Sequence, residues 1–331
     1  MKKHTILFKQ TLWIIVVIFI SVPFLTFSQK KPKKHKDEDK DADHQWDYTI
    51  DRNTPDAVAP LTFLIDPFLP SVSDEIGVAA QVKADIKVAD RFDVSARVLY
   101  YYLGTFTNAD NPVYTPSPFP AQSQYEVGGS WFFSDEAVNK DEDVLLYSES
   151  VGYRSYINHM TKIPMDHQQK FGLRAAFGYA VMGTSQDLGD ISGYNQNDPT
   201  KTPFKFYSAN TNTNFGFIAV GLSSEKIRDY KVHFQNGQIR QLSRKVTWYA
   251  DLLFSPFASY SNVSRVDSGG TYIITNTPKS NLGFRIGFNI HSLKVFGGNG
   301  GFELADMPGS QTGQFYFRFN LGFAISPQAK D

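Results

Sequence analysis

The chain has 331 residues, which suffices for one large β domain or two small ones. Lysine and arginine total 33, as do aspartate and glutamate, so there is no net field that would recruit nucleic acid or an acidic partner. No cysteine is present, which excludes disulfides, thiolate nucleophiles, thiolate metal sites and a lipoprotein acylation site.

Residues 1–28 are predicted to be a secretory signal peptide. A lysine-containing start leads into the apolar run 12–27, and the small residue Ser28 marks the expected cleavage point. The alternative is an uncleaved anchor helix, but Pro23 interrupts the run and a membrane span needs about 20 apolar residues. The pattern therefore predicts export of the mature chain.

Residues 29–58 are predicted to be a flexible periplasmic tether. The block 30–44 mixes lysines with acidic residues and has no large apolar residue, so it cannot bury enough surface to order itself. A cationic clamp on an anionic polymer is the alternative, and the acidic residues of the block argue against it.

Six segments between residues 59 and 331 alternate apolar and polar residues with the period of a β-strand. Their ranges are 76–88, 92–102, 171–181, 246–254, 282–290 and 315–325. The first two form a hairpin around a turn at 89–91, long enough to cross a membrane, since a tilted strand of about 9–11 residues spans the hydrocarbon. One apolar and one polar face per strand predict a wall between lipid and a polar interior.

Weaker alternation predicts further strands, at 61–65, 125–133, 144–156, 204–207, 214–222, 228–235 and 271–275. Asn236 and Gly237 predict a tight hairpin turn, because a type I′ turn needs two positive φ angles. The predicted fold is all-β, a transmembrane antiparallel up-and-down barrel of about twelve strands, with a range of 10–14. Connections 105–123 and 184–202 are both long, yet this strand count does not place both on the outer side, which indicates one misassigned strand.

Residues 60–326 resemble the outer-membrane β-barrel proteins of Gram-negative bacteria. The resemblance lies in the signal peptide, the absence of cysteine, the amphipathic strands and a final strand with phenylalanine at alternate positions. In that group the final strand is read by the barrel assembly machinery, and the matching positions here are Phe319, Leu321, Phe323 and Ile325. The chain departs from the group by continuing through 326–331 instead of ending on an aromatic residue.

Charged residues fall on the polar faces of the predicted strands, where they would line the barrel interior. The candidates for a lumen or selectivity site are Arg97, Arg174, Arg285, Arg318, Asp85, Asp93 and Asp251. Pairing among these charges is the structural interpretation, and a selectivity ring in a water-filled path is the functional one.

No catalytic, metal or cofactor site is predicted. His291 and Ser292 are the only pair that suggests an outer-membrane hydrolase, but neighbours on a strand point to opposite faces and cannot act together without a bulge. His159 and His167 are expected in a loop and lack a compact metal-ligand spacing.

The sequence predicts an outer-membrane barrel that acts as a small-solute channel or as a structural or accessory component of an envelope assembly. The expected partners are outer-membrane lipid, the barrel assembly machinery and an envelope protein, with no nucleic acid and no cofactor. Ligand or partner binding by the long surface loops is the second hypothesis, and an outer-membrane hydrolase is the third. A soluble periplasmic β-sandwich also fits the alternation, since sheets with one face on a core show it too.

Overall fold

The computed structural model describes most of the chain from residue 48 onward. The described ranges are 48–53, 59–72, 75–106, 123–152, 155–186, 191–195, 204–206, 209–235, 237–264, 272–274, 280–308 and 314–327, with residues 197 and 200. The predicted signal peptide and residues 29–47 and 54–58 of the predicted tether lie outside them. Within the described ranges, no helix has the length and apolar character needed to cross a membrane.

The regular structure of the described residues is entirely strand. In chain order the strands are β1 Tyr48–Asn53, β2 Leu61–Val72, β3 Glu75–Ala89, β4 Phe92–Phe106, β5 Ser123–Gly152, β6 Ser155–Gln186, β7 Ile191–Asn195, β8 Phe204–Phe206, β9 Ala209–Phe234, β10 Ile239–Ser264, β11 Tyr272–Ile274, β12 Leu282–Ser292, β13 Phe296–Met307 and β14 Gln314–Ile325.

Ten of these strands close into one antiparallel barrel. Following the pairings around the wall, the order is β2, β3, β4, β5, β6, β9, β10, β12, β13 and β14, and β14 pairs with β2 to complete the circle. Strand β1 adds to β9 as an eleventh member of the sheet, while β7, β8 and β11 form a separate three-stranded sheet. The predicted all-β transmembrane-type barrel is confirmed, and ten strands lie within the predicted range.

The wall count falls below twelve because two pairs of predicted strands merge and the predicted strands 204–207 and 271–275 lie in the small sheet. Strand β5 joins the predicted strands 125–133 and 144–156, and β9 joins 214–222 and 228–235. The segments between them are charged and contain neither glycine nor proline, so nothing breaks the strand. In the opposite direction, β13 was not predicted, and glycines occupy four of its first six positions.

The long connections all lie at one end of the barrel. Links 106–123, 186–209, 264–282 and 307–314 lie at this loop end together with the short link 72–75. The links at the opposite, turn end are all short, namely 89–92, 152–155, 234–239 and 292–296. With ten strands, both 105–123 and 184–202 therefore fall on the same side, which resolves the conflict in the predicted count.

The final strand shows the sidedness of the wall. Phe317, Phe319, Leu321 and Phe323 are 41–52% exposed on the outside, whereas Arg318 between them is buried in the interior. Similar apolar side chains are exposed on all ten wall strands, and no second sheet or helix among the described residues covers the final strand. The outer surface is an apolar belt, as lipid contact requires.

Two hairpins continue past the barrel wall at the turn end. Strand β6 pairs with β9 only as far as Gln168 and Ile227, after which β1 replaces β6 beside β9. The freed hairpin of β5 and β6 packs its side chains against the outer face of β9 and β10. The buried cluster consists of Val144, Ile163, Met165, Tyr230, Val232 and Phe234, with Tyr48 and Leu242 against it. We call residues 48–53, 134–167 and 228–244 the turn-end extension.

The hairpin of β9 and β10 turns where the pair at 236–237 predicted it, but its hydrogen bonds are those of a three-residue loop and not of the predicted two-residue type I′ turn. Gly237 has φ of 79°, a left-handed conformation that glycine adopts without steric cost. Its N–H donates to the Phe234 carbonyl at 2.9 Å, and the Phe234 N–H donates to the Gln238 carbonyl at 2.9 Å.

Replacing Leu252 by arginine tests whether the apolar belt contacts lipid. Leu252 is 67% exposed on the outer face of β10, so in water the change is harmless, whereas in a bilayer it places a charge in hydrocarbon. We expect Leu252→Arg to lower the unfolding free energy in phospholipid vesicles by about 2–4 kcal/mol. The readout is denaturant titration followed by the heat-modifiable gel mobility of the folded barrel.

Ile239→Arg is the matched control, since Ile239 is 51% exposed on the same strand but lies in the turn-end extension. It is expected to change the unfolding free energy by no more than about 0.5 kcal/mol. Equal effects of the two variants would contradict the lipid contact of the belt.

Candidate functional site in the barrel interior

Seven charged residues on seven different strands meet in the middle of the barrel. They are Arg97 on β4, Glu126 on β5, Arg174 on β6, Asp251 on β10, Arg285 on β12, Glu303 on β13 and Arg318 on β14. Each takes the inward parity of its strand, so the pleat alone directs these side chains into the interior. We call this set the central charge layer.

Register creates the first contacts of the central charge layer. Arg97 lies directly opposite Glu126, Asp251 opposite Arg285, and Glu303 opposite Arg318 on neighbouring strands. Opposite charges at directly facing positions stabilise adjacent strands. The distances are 2.9 Å from Arg97 Nη2 to Glu126 Oε2, 2.6 Å from Arg285 Nη2 to Asp251 Oδ2, and 3.3 Å from Arg318 Nη1 to Glu303 Oε1.

A second set of ion pairs crosses the lumen. Arg285 reaches Glu126 on the far side of the barrel, and Arg97 Nη1 lies 2.8 Å from Glu303 Oε2. Arg174 Nη2 adds a contact of 2.6 Å to Glu126 Oε1. Each of these carboxylates thus bridges cations from separated strands, which ties opposite walls together and blocks the interior.

Tyrosines complete the coordination of Glu303. Tyr249 donates to Oε2 at 2.5 Å and Tyr316 donates to Oε1 at 2.6 Å. The Arg318 guanidinium lies 3.8 Å from the centre of the Tyr316 ring and donates through Nε to Tyr101 at 2.9 Å. Aromatic faces stabilise cations that have left water, so the rings serve as both partners and filling.

A second charged layer lies nearer the turn end. Lys245 Nζ is 2.6 Å from Glu225 Oε1 and 3.2 Å from Asp93 Oδ2, while Lys83 Nζ is 2.9 Å from Asp85 Oδ1. The candidates Asp85 and Asp93 therefore belong to this layer, and the other five candidates belong to the central charge layer. All seven take part in ion pairs.

The interior holds little free space. One interior cavity has a volume of about 50 Å³ and is lined by Arg97, Glu126, Glu303, Arg318 and neighbouring residues, and another has a volume of about 20 Å³. Such volumes accommodate water molecules but no organic solute.

Glu126 and Glu303 are the residues of the central charge layer that the sequence analysis did not predict, as are Glu225 and Lys245 in the second layer. Glu126 alternates with Tyr125 and Val127, so its parity carried the signal. Glu303 lies on β13. The alternation that would have predicted this strand is visible in the sequence, with Phe302 and Leu304 on one parity and Glu303 and Ala305 on the other. The glycine that obscured it has a packing reason, since a Cβ on Gly301 would lie 2.2 Å from the Phe288 carbonyl oxygen.

The remaining predicted residues lie apart from the charge layers. His291 is buried in the interior with Nδ1 3.2 Å from Asn289 Oδ1, whereas Ser292 Oγ accepts from the Lys294 N–H. Phe319, Leu321 and Phe323 are exposed on the outer belt and Ile325 is half-buried at the end of β14. Their role in assembly stays a prediction.

A different charged cluster lies on the outer side, where the turn-end extension meets the wall. His167, expected in a loop, is on β6 and fully buried, with Nε2 3.0 Å from Glu142 Oε1. Arg228 Nη1 donates to Glu142 Oε2 at 2.9 Å. We call this cluster the seam, consisting of Lys140, Glu142, Asp166, His167, Lys226, Arg228 and Arg244.

Electrostatics in the seam disfavours further positive charge. Burial, followed by Lys226, Arg228 and Lys140, lowers the pKa of His167 to about 4, although Asp166 acts in the opposite direction. His167 is therefore neutral at pH 7.

Comparison with known proteins adds no family. No family model matches the chain, and no curated protein matches it. Among solved structures, the chain resembles OmpT (in-vitro folded), an outer membrane protein of Vibrio cholerae, with 8% identity, coverage of 80% of this chain and 96% of that chain, and a TM-score of 0.17. The fold is that of the outer-membrane β-barrels, and closed strand pairing with an apolar outer belt carries this assignment.

Glu303→Gln tests the central charge layer. The amide keeps the shape but leaves Arg97 and Arg318 short of a counter-charge in a dry interior. Removing one partner of a buried ion pair typically lowers the unfolding free energy by about 3–5 kcal/mol. The measurement is equilibrium unfolding in detergent, with Glu136→Gln on the exposed part of β5 as the control, and equal stability of the two variants would contradict the layer's role.

The pKa of His167 predicts a pH dependence of the turn-end extension. The unfolded segment binds a proton near pH 6.5 and the folded one only near 4, so stability is full above about pH 7 and falls as the pH drops from 6.5 towards 4. Hydrogen exchange of residues 160–167 at pH 7 and pH 5 should show faster local opening at pH 5. His167→Gln should flatten that change, and an unchanged pH response in the variant would refute the role of His167.

Proposed function

We propose that this protein is a plugged outer-membrane barrel with a structural or accessory role, anchoring the turn-end extension in the periplasm for a larger envelope assembly. Secretion by the predicted signal peptide and orientation with the turn end inward belong to the proposal. Short turns face the periplasm and long loops face outward in barrels of this class.

The observation that carries the proposal is the set of ion pairs across the lumen. Arg285 to Glu126 and Arg97 to Glu303 span the interior, and the fully buried Arg285 occupies its centre. A diffusion channel needs a continuous water path, whereas the cavities here hold only a few waters. This favours anchoring over transport.

The turn-end extension supports an accessory role. Its own apolar cluster stabilises the extension beyond the wall. Strand β5 pairs with β4 only inside the wall, so from Ser134 onward that edge of β5 has no partner strand among the described residues. An edge strand presents unpaired backbone groups, which another strand can use. The extension thus offers a surface for an envelope protein.

Binding by the surface loops is the second candidate. The loop end carries the small sheet of β7, β8 and β11, in which two different long connections pair with each other. An ordered element built from separate loops is a suitable scaffold for recognition of a ligand or partner.

Planar-bilayer conductance tests the plugged barrel. The wild-type protein is expected to show no steady open-pore current. The variant Arg97→Ala/Glu126→Ala/Arg285→Ala/Glu303→Ala removes two cations and two anions, so it opens the interior without changing the net charge, and a steady current at least tenfold above the wild-type level is expected.

Lys162→Ala/Glu136→Ala is the charge-neutral control on the turn-end extension and should show no steady current across the bilayer. Heat-modifiable gel mobility verifies that each variant forms a closed barrel. A steady wild-type current as large as that of the fourfold variant would overturn the anchoring role and favour the small-solute channel.

A further inference from the structure

The seam contains like charges that face each other on neighbouring strands. Arg228 on β9 lies directly opposite Arg244 on β10, and Lys226 lies opposite Val246 one step closer to the belt. Directly opposed like charges destabilise a sheet unless an anion lies between them. The seam therefore requires a counter-charge beyond the two strands.

The protein supplies only part of that counter-charge. Four cations of the seam face two carboxylates, Glu142 and Asp166, and Glu142 is already shared by Arg228 and His167. Asp166 accepts a hydrogen bond from Asn139 at 2.8 Å. Among the described residues, Arg244 forms no ion pair, and the Nε atoms of Arg228 and Arg244 are buried without a hydrogen-bond partner. The seam therefore has donors left over.

The position of the seam indicates which anion is available. Arg228, Arg244 and Lys226 take the outward parity of their strands, which they share with Leu222 and Trp248 of the apolar belt. Arg244 is four residues from Trp248, about 13 Å along the strand. Tryptophan marks the interface between lipid and water, so the seam lies at the level of the lipid headgroups.

We propose that the seam binds the phosphodiester of an anionic phospholipid in the leaflet next to the turn end. Arginine guanidinium groups donate paired hydrogen bonds to phosphate oxygens, and Lys226 and Lys140 add charge on the belt side and the hairpin side. The bound phosphate separates Arg228 from Arg244 and fastens the turn-end extension to the membrane. This site rests on membrane insertion of the barrel but on neither the orientation nor the plugged lumen.

Arg244→Gln is the test variant. Because Arg244 forms no ion pair with the part of the chain that the structure describes, the change removes a lipid contact and leaves the fold intact, whereas Arg228 also holds Glu142. The probe is phosphatidylglycerol, compared with phosphatidylcholine, in native mass spectrometry of the folded protein released from nanodiscs of mixed composition. The wild-type protein should retain phosphatidylglycerol preferentially, and Arg244→Gln should lower its occupancy at least fivefold.

Lys162→Gln is the matched control, since it removes one exposed cation from the same extension outside the seam. It should leave phosphatidylglycerol occupancy unchanged. Equal occupancy in the wild type and Arg244→Gln, or no preference for phosphatidylglycerol over phosphatidylcholine, would overturn the site. Displacement of the lipid by inorganic phosphate would also overturn it, because a soluble anion would then be the ligand. None of these outcomes depends on conductance, so the lumen proposal succeeds or fails separately.

Discussion

Closure of the sheet is the constraint on which the rest of the structure depends. Pairing of β14 with β2 and of β6 with β9 gives every wall strand a hydrogen-bonded neighbour on both sides within the barrel, which lipid cannot provide. Closure also confines every second side chain to an interior of fixed width. Charges placed there must find partners inside that space, because an unpaired buried charge is costly. The central charge layer is the consequence: arginines and carboxylates from seven strands satisfy one another across the lumen.

Beyond the membrane the same alternation serves a different purpose. Along β6 the outward parity meets lipid at Leu173 and Phe177 but becomes buried at Ile163 and Met165, where the hairpin has separated from β9. The strand does not change its period, and only the material facing its outer side changes from lipid to protein. A barrel wall can thus become a two-layered structure beyond the membrane without a turn or a new domain.

Local pattern explains what could be predicted from the sequence. Parity alone placed Arg97, Arg174, Arg285 and Arg318 in the interior, since the pleat allows only two directions. It could not show which carboxylates they meet, because contacts such as Arg285 to Glu126 depend on strand number and closure, which are properties of the whole sheet. Strand ends were also missed where charged residues continued β5 and β9 without turn residues, and where glycines in β13 were needed for close packing.

The two charged regions of the wall differ in how completely the protein satisfies them. Inside, each arginine of the central charge layer has a carboxylate within reach and tyrosines occupy further positions, although Nε of Arg97, Nε of Arg174 and Nη2 of Arg318 are buried without a hydrogen-bond partner. In the seam, Arg228 and Arg244 oppose each other and share too few carboxylates. Ion pairs on every arginine make the interior network rigid, whereas the cations of the seam are short of counter-charge and can bind an anion. Ligand binding is therefore expected at the membrane boundary beside the turn-end extension and not in the closed interior.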